Sequence, residues 1–149
     1  MRDIVNNTHL LQVIHPQMIS AAALNTGHID LLGADSLMVA VLVGNISETL
    51  SGTAKIDLKI EHADDNGAGA PATYTNCTDD DVLNASGLVN GIYMSIDANA
   101  KENKRHVIGY RGAKRFVRVT LTPTGLTTGG AVAAMAVRGD LSQAPAVNI

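Results

Sequence analysis

Tryptophan is absent from this 149-residue chain, phenylalanine occurs once and tyrosine three times. Any core must therefore be assembled from small and β-branched aliphatics, which suit closely packed pleated surfaces. The same scarcity leaves too few aromatics for a stacking platform, so single-stranded nucleic acid is not an expected partner. Cys77 is the only cysteine, so no internal disulfide can form and the fold does not depend on an oxidising compartment. It stands in a polar stretch just before Asp79, Asp80 and Asp81, whose negative charge disfavours a thiolate; an inert thiol is expected. The longest apolar runs, Leu37–Val43 and Ala131–Val137, have seven residues each, against the roughly 20 that a membrane helix needs. Asp3 places an acid where a secretory leader carries basic residues, so synthesis and folding in the cytoplasm are expected.

What is present points to strands. From Thr53 to His62, Lys55, Asp57, Lys59 and Glu61 alternate with Ile56, Leu58 and Ile60. That period of two predicts a strand with three aliphatics on a core and four charges in water. Arg115–Leu121 alternates in the same way, with Val117, Val119 and Leu121 on one face. Phe116, Arg118 and Thr120 take the other, and Pro123-Thr124-Gly125 reads as the stop. Leu37–Val43 and Ala131–Val137 lack alternation, which predicts strands buried on both sides, with a short helix as the alternative. Weaker strands are expected at Leu10–Ile14, Met18–Ala22, His28–Leu32, Ile92–Ile96 and His106–Tyr110, and one helical turn at Asp79–Leu83 capped by Thr78. The expected fold is an all-β, single-domain antiparallel β-sandwich over residues 1–149, jelly-roll or immunoglobulin-like, with few or no helices. Residues 141–149 are expected to form an extended C-terminal arm.

Chemistry is harder to find. Asp64-Asp65-Asn66-Gly67 lacks the twelve-residue ligand pattern of a calcium loop and reads as a turn. The five histidines, at 9, 15, 28, 62 and 106, show no metal-pair spacing. No Gly-x-Ser-x-Gly elbow occurs, and the glycines around Tyr110 lack P-loop spacing. No catalytic, cofactor or metal-binding residue is singled out, and a binding role is expected instead. Seven of the eleven basic residues fall between Lys101 and Arg118, and six of the fourteen acids between Glu61 and Asp81. Segments of opposite sign can dock one copy to another. Tyr110, Arg111, Lys114, Arg115, Phe116 and Arg118 surround what reads as one hairpin turn, in the residue types that dominate protein interfaces. With Asp64 and Asp65 they form the candidate protein interface.

The run His106-Val107-Ile108-Gly109-Tyr110-Arg111-Gly112-Ala113-Lys114-Arg115-Phe116-Val117-Arg118-Val119 resembles a segment of small proteins from the head-gene modules of tailed bacteriophages and prophages. Those proteins share a hairpin of the form Gly-Tyr-x-Gly-x-Lys-Arg-aromatic-x-Arg-Val. Ile60–Gly67, Arg138-Gly139 and Ala144-Pro145 are similar too, so the resemblance spans roughly Val5 to Pro145. One departure is the stretch Gly69–Tyr74, where relatives place an aromatic sooner after the Asp-Gly turn. The resemblance implies a virion structural protein and no enzyme. The leading expectation is a capsid decoration, or cement, protein on the capsid surface. Its partners would be the major capsid protein and further copies of itself, as a homotrimer, with no cofactor and no membrane. A head–tail connector or tail component is the alternative, and a carbohydrate-binding adhesion module is the alternative of another class.

Overall fold

The structure, a computed structural model, describes residues 3–143. Its strands are β1 (His9–Ile19), β2 (Leu24–Asn25), β3 (Ile29–Asp30), β4 (Ala34–Ile46), β5 (Lys55–Ala63), β6 (Thr75–Asn76) and β7 (Ile92–Ile96). A single 3₁₀ turn, Asn99–Lys101, precedes β8 (Lys104–Tyr110), β9 (Phe116–Thr124) and β10 (Gly130–Leu141). The expected arm lies outside the described residues beyond Gln143.

All pairings are antiparallel. One sheet runs β1-β10-β4-β8; in the other, β2 and β3 flank β9, which pairs with β5, which pairs with β6 and β7. The order is that of one long hairpin wound on itself: β1 meets β10, β2 and β3 meet β9, β4 meets β8, and β5 meets β7. Winding makes β4 a neighbour of β10 and β5 a neighbour of β9, which closes the two sheets of a jelly-roll sandwich.

Between the sheets lies one aliphatic core. Ile56, Leu58 and Ile60 of β5 and Val117, Val119 and Leu121 of β9 are fully buried. They join Leu37, Val39, Val41 and Val43 of β4 and Val132, Ala134 and Ala136 of β10 in a single cluster. Each large aliphatic so buried contributes about 1.5–3 kcal/mol. The alternation read at Lys55–Ala63 thus has the predicted inner face.

Four expectations change. Leu37–Val43 and Ala131–Val137 are strands, but each buries only one face: Met38 and Leu42 are exposed between buried neighbours. Their lack of alternation reflects an outer face that is itself apolar. Leu10–Ile14 and Met18–Ala22 are one strand, β1, whose register slips on either side of Ile14; as an edge strand it tolerates Pro16. Pro123 does not stop β9. It pairs with Ile56 from within the strand, beyond the end of β2, where the missing N–H has no ladder partner to lose. Asp79–Leu83 is not helical but a turn interrupted by the bridge of Val82 to Tyr110, and its capping runs the other way: the Asp81 carboxylate accepts from the Thr78 amide at 2.8 Å and its hydroxyl at 2.9 Å.

One staple was not legible in the sequence. Glu48, in the β4–β5 connection, accepts from the amides of Thr127 (2.7 Å), Thr128 (2.6 Å) and Gly129 (2.9 Å) and from the Thr127 hydroxyl (2.9 Å). These donors, the Thr128 and Thr127 amides foremost, hold its carboxyl at about 2, below the ordinary 4.5. Because the folded value is the lower one, the stabilisation is complete above pH 4.5 and is lost as pH falls from there toward 2. The melting temperature of Glu48→Gln is therefore expected to fall below that of the parent at neutral pH, with the gap closing on acidification through this window. Parallel melting curves from pH 6 to pH 2.5 would count against the staple.

Candidate protein interface

The segment from Gly109 to Lys114 is not a hairpin. β8 belongs to one sheet and β9 to the other, so the segment is the corner by which the chain crosses the sandwich. Two alternating strands around a short glycine-containing link read alike in sequence whether they pair with each other or lie in opposite layers. Tyr110 pins the corner. It is 4% exposed, its hydroxyl accepts the Lys114 amide at 3.1 Å, and it shares a hydrogen bond with His62 Nδ1 at 3.0 Å. Burial pushes the phenol pKa up.

The basic residues of this corner are engaged within the chain. Arg115 forks onto both carboxylate oxygens of Asp30 (2.8 and 2.7 Å), also pairs with Asp65, and covers the Phe116 ring at 4.8 Å. Phe116 is itself 1% exposed, so its face of β9 is roofed by this chain's own residues. Arg118 bonds Glu61 Oε2 at 2.7 and 3.1 Å and stacks on Tyr74 at 4.1 Å. Lys114 reaches Asp64 at 3.4 Å and the Thr75 hydroxyl at 3.2 Å. Arg111 donates to the carbonyls of Asp80 (2.8 Å) and Asp79 (3.3 Å).

The acids respond accordingly. Asp30 is held below its ordinary value by Arg115, Asp65 by the Gly67 amide first and then by Gly69 and Arg115. Burial pushes Glu61 up, but Lys59 and Arg118 outweigh it and the net shift is down. Glu61, expected in water, is 9% exposed, with Lys59 and Arg118 both bonded to its carboxylate. All eight candidate residues therefore come together at one end of the molecule, and the acidic and basic segments join within the copy: Arg118 to Glu61, Lys114 to Asp64 and Arg115 to Asp65.

A different surface stands open. On the outer face of the β1-β10-β4-β8 sheet, Leu10, Met18, Met38, Leu42 and Val107 are 39–58% exposed. The ladder places Leu10 beside Val137, Val137 beside Met38, and Leu42 beside Ala133, so these side chains form one surface. Ala40 and Ala131 keep it low, and Leu83, 47% exposed, continues it over Gly109. Contiguous apolar faces of this kind on a folded domain mark contact sites. At its β8 edge stand Lys104 and Arg105, both exposed and without a salt bridge among the described residues, with Arg105 directly across from Leu42. The basic stretch thus divides into an inner part that braces the corner and an outer part that rims the apolar face.

Cys77 is buried rather than in a polar exposed stretch, at 2% exposure. Burial first, then Asp81 and Glu61, push its thiol up to about 12. Of the three neighbouring aspartates only Asp81 contributes; Asp79 turns to the amides of Gly87 and Leu88. Asp65 caps its own turn by accepting from the Gly67 and Gly69 amides. Among the described residues no helix is long and apolar enough to cross a membrane. Comparison with family models, with curated proteins and with solved structures returns no match for this chain.

Proposed function

We propose that this chain is a structural protein of a tailed-phage virion, a decoration protein that docks on the outer shell through the open face of the β1-β10-β4-β8 sheet. The observation that carries the reading is that face: exposed apolar side chains on all four strands, with the exposed cations Lys104 and Arg105 at its β8 edge. Its partner is a shell protein offering apolar side chains flanked by acids. Burial of the aliphatics supplies affinity, and the basic rim supplies orientation and on-rate. A rigid sandwich loses little freedom on docking, which keeps the entropic cost of association low. The resemblance of residues 106–119 to phage head proteins supports the same reading, as does the use of jelly rolls in viral capsids, which is an analogy at the level of fold. The eight corner residues serve in this reading to brace the molecule, with Arg111 and Asp64 the most accessible of them.

Copy number in purified particles, measured by quantitative mass spectrometry against the major capsid protein, tests the assignment. A ratio between one to one and one to a few is expected. A dozen copies or fewer would move the protein to the neck or tail, and absence from the particle would end the virion reading.

A further inference from the structure

Folding brings together three side chains that are far apart by metal-pair spacing. His62 comes from the end of β5, Cys77 from the residue after β6, and Asp81 from the turn that follows. One ligand atom from each lies within 4.8 Å of the others. His62 Nδ1 and Asp81 Oδ1 are 3.8 Å apart, a few tenths of an ångström wider than the roughly 3.4 Å between two such ligands on one tetrahedral ion. His62 and Cys77 are buried, whereas the Asp81 side chain is 20% exposed and forms the way in.

The surrounding hydrogen bonds position these side chains. The Tyr110 hydroxyl accepts the Lys114 amide at 3.1 Å and lies 3.0 Å from His62 Nδ1 and 3.5 Å from the Lys114 carbonyl. In the tautomer that carries its proton on Nε2, Nδ1 offers its lone pair to an ion. Asp81 Oδ2 is held by Thr78, which aims Oδ1 at His62. The nearest cation, Lys114, is spent on Thr75 and Asp64.

We infer that His62, Cys77 and Asp81 form a three-ligand site for a borderline-soft divalent cation, Zn²⁺ by its mixed nitrogen, sulfur and oxygen donors. Water takes the fourth position. On binding, the Cys77 S–H bond breaks, a sulfur–metal bond forms and one proton leaves to solvent. With Nδ1 on the ion, the Tyr110 O–H donates to the Lys114 carbonyl, 3.5 Å away. The ion ties the Asp81 turn and the segment carrying Cys77 to β5, in a chain that has no disulfide to do so.

The test is a titration of the reduced, full-length protein with Co²⁺ and then Zn²⁺. Expected are a near-ultraviolet thiolate-to-cobalt band saturating at one ion per chain, its loss on adding Zn²⁺, and release of one proton per ion. Zn²⁺ at about 100 times its dissociation constant should also raise the melting temperature. Cys77→Ser should abolish the band, and Asp81→Asn should weaken Zn²⁺ binding at least about tenfold. Absence of the band, together with no Zn²⁺ binding by the parent protein at about 100 µM by calorimetry, overturns the site whatever the variants do. Binding that both variants retain at parental strength overturns it as well.

Discussion

Gly129→Ala is expected to destabilise the protein by about 3–4 kcal/mol and lower its melting temperature by about 10 °C. Gly129 has φ +69°, and a Cβ built on it would lie 1.7 Å from the Ile19 carbonyl oxygen and 2.7 Å from its carbon. Those are backbone atoms at the end of β1, and they have little room to retreat. On its other side Gly129 donates to Glu48 at 2.9 Å and accepts the Ser47 amide at 3.0 Å. It is therefore the point where the end of β1, the β4–β5 connection and the start of β10 cross. Gly27→Ala separates strain from clash, because Gly27 has nearly the same φ, +67°, with nothing within 4 Å of its Cβ position. That variant should cost only about 1–2 kcal/mol. Equal losses at the two positions by thermal or urea unfolding would refute the crossing as the reason for glycine at 129.

Sequence alone conveys the layers of this molecule better than their connections. Period-two patterning located β5 and β9 and assigned Ile56, Leu58, Ile60, Val117, Val119 and Leu121 to the core, where they are fully buried. Patterning reports which face of a strand is dry, not which strand lies beside it. The Gly109–Lys114 corner therefore read as a hairpin, although β8 and β9 lie in opposite sheets. The same limit hid the partners of the charged residues. Arg115 and Asp30 are 85 positions apart and Glu48 and Thr127 are 79, so no local spacing announces either pair. His62, Cys77 and Asp81 escaped for that reason too, since winding of the chain, not sequence spacing, assembles them. The outer face of β4 and β10 was disguised differently. An apolar residue facing outward looks like one facing inward, so Leu37–Val43 read as doubly buried where Met38 and Leu42 are exposed.

That exposure yields the second large expectation. Met38→Glu with Leu42→Glu should reduce docking on undecorated particles at least about 1000-fold while leaving the fold intact. Docking covers only the 39% and 44% of Met38 and Leu42 still exposed, which contributes about 0.6–1.3 kcal/mol apiece. The larger part of the loss is the several kcal/mol cost of desolvating an unpaired carboxylate in place of each. A combined loss of about 4 kcal/mol already corresponds to about three powers of ten in affinity. The free protein has little at stake, because Met38 and Leu42 are 39% and 44% exposed before any substitution and the core face of β4 is untouched. Thr122→Glu serves as the control: Thr122 is exposed on the opposite sheet, beside the buried Leu121, and its substitution should leave docking at the parental level. Replacing Lys104 and Arg105 with glutamine should act differently, slowing association and flattening its salt dependence more than it speeds dissociation. Sedimentation with particles at two ionic strengths distinguishes these cases. A Met38/Leu42 double variant that decorates shells like the parent, with Thr122→Glu also neutral, would remove the β1-β10-β4-β8 face from the docking reading and return attention to the accessible corner residues Arg111 and Asp64.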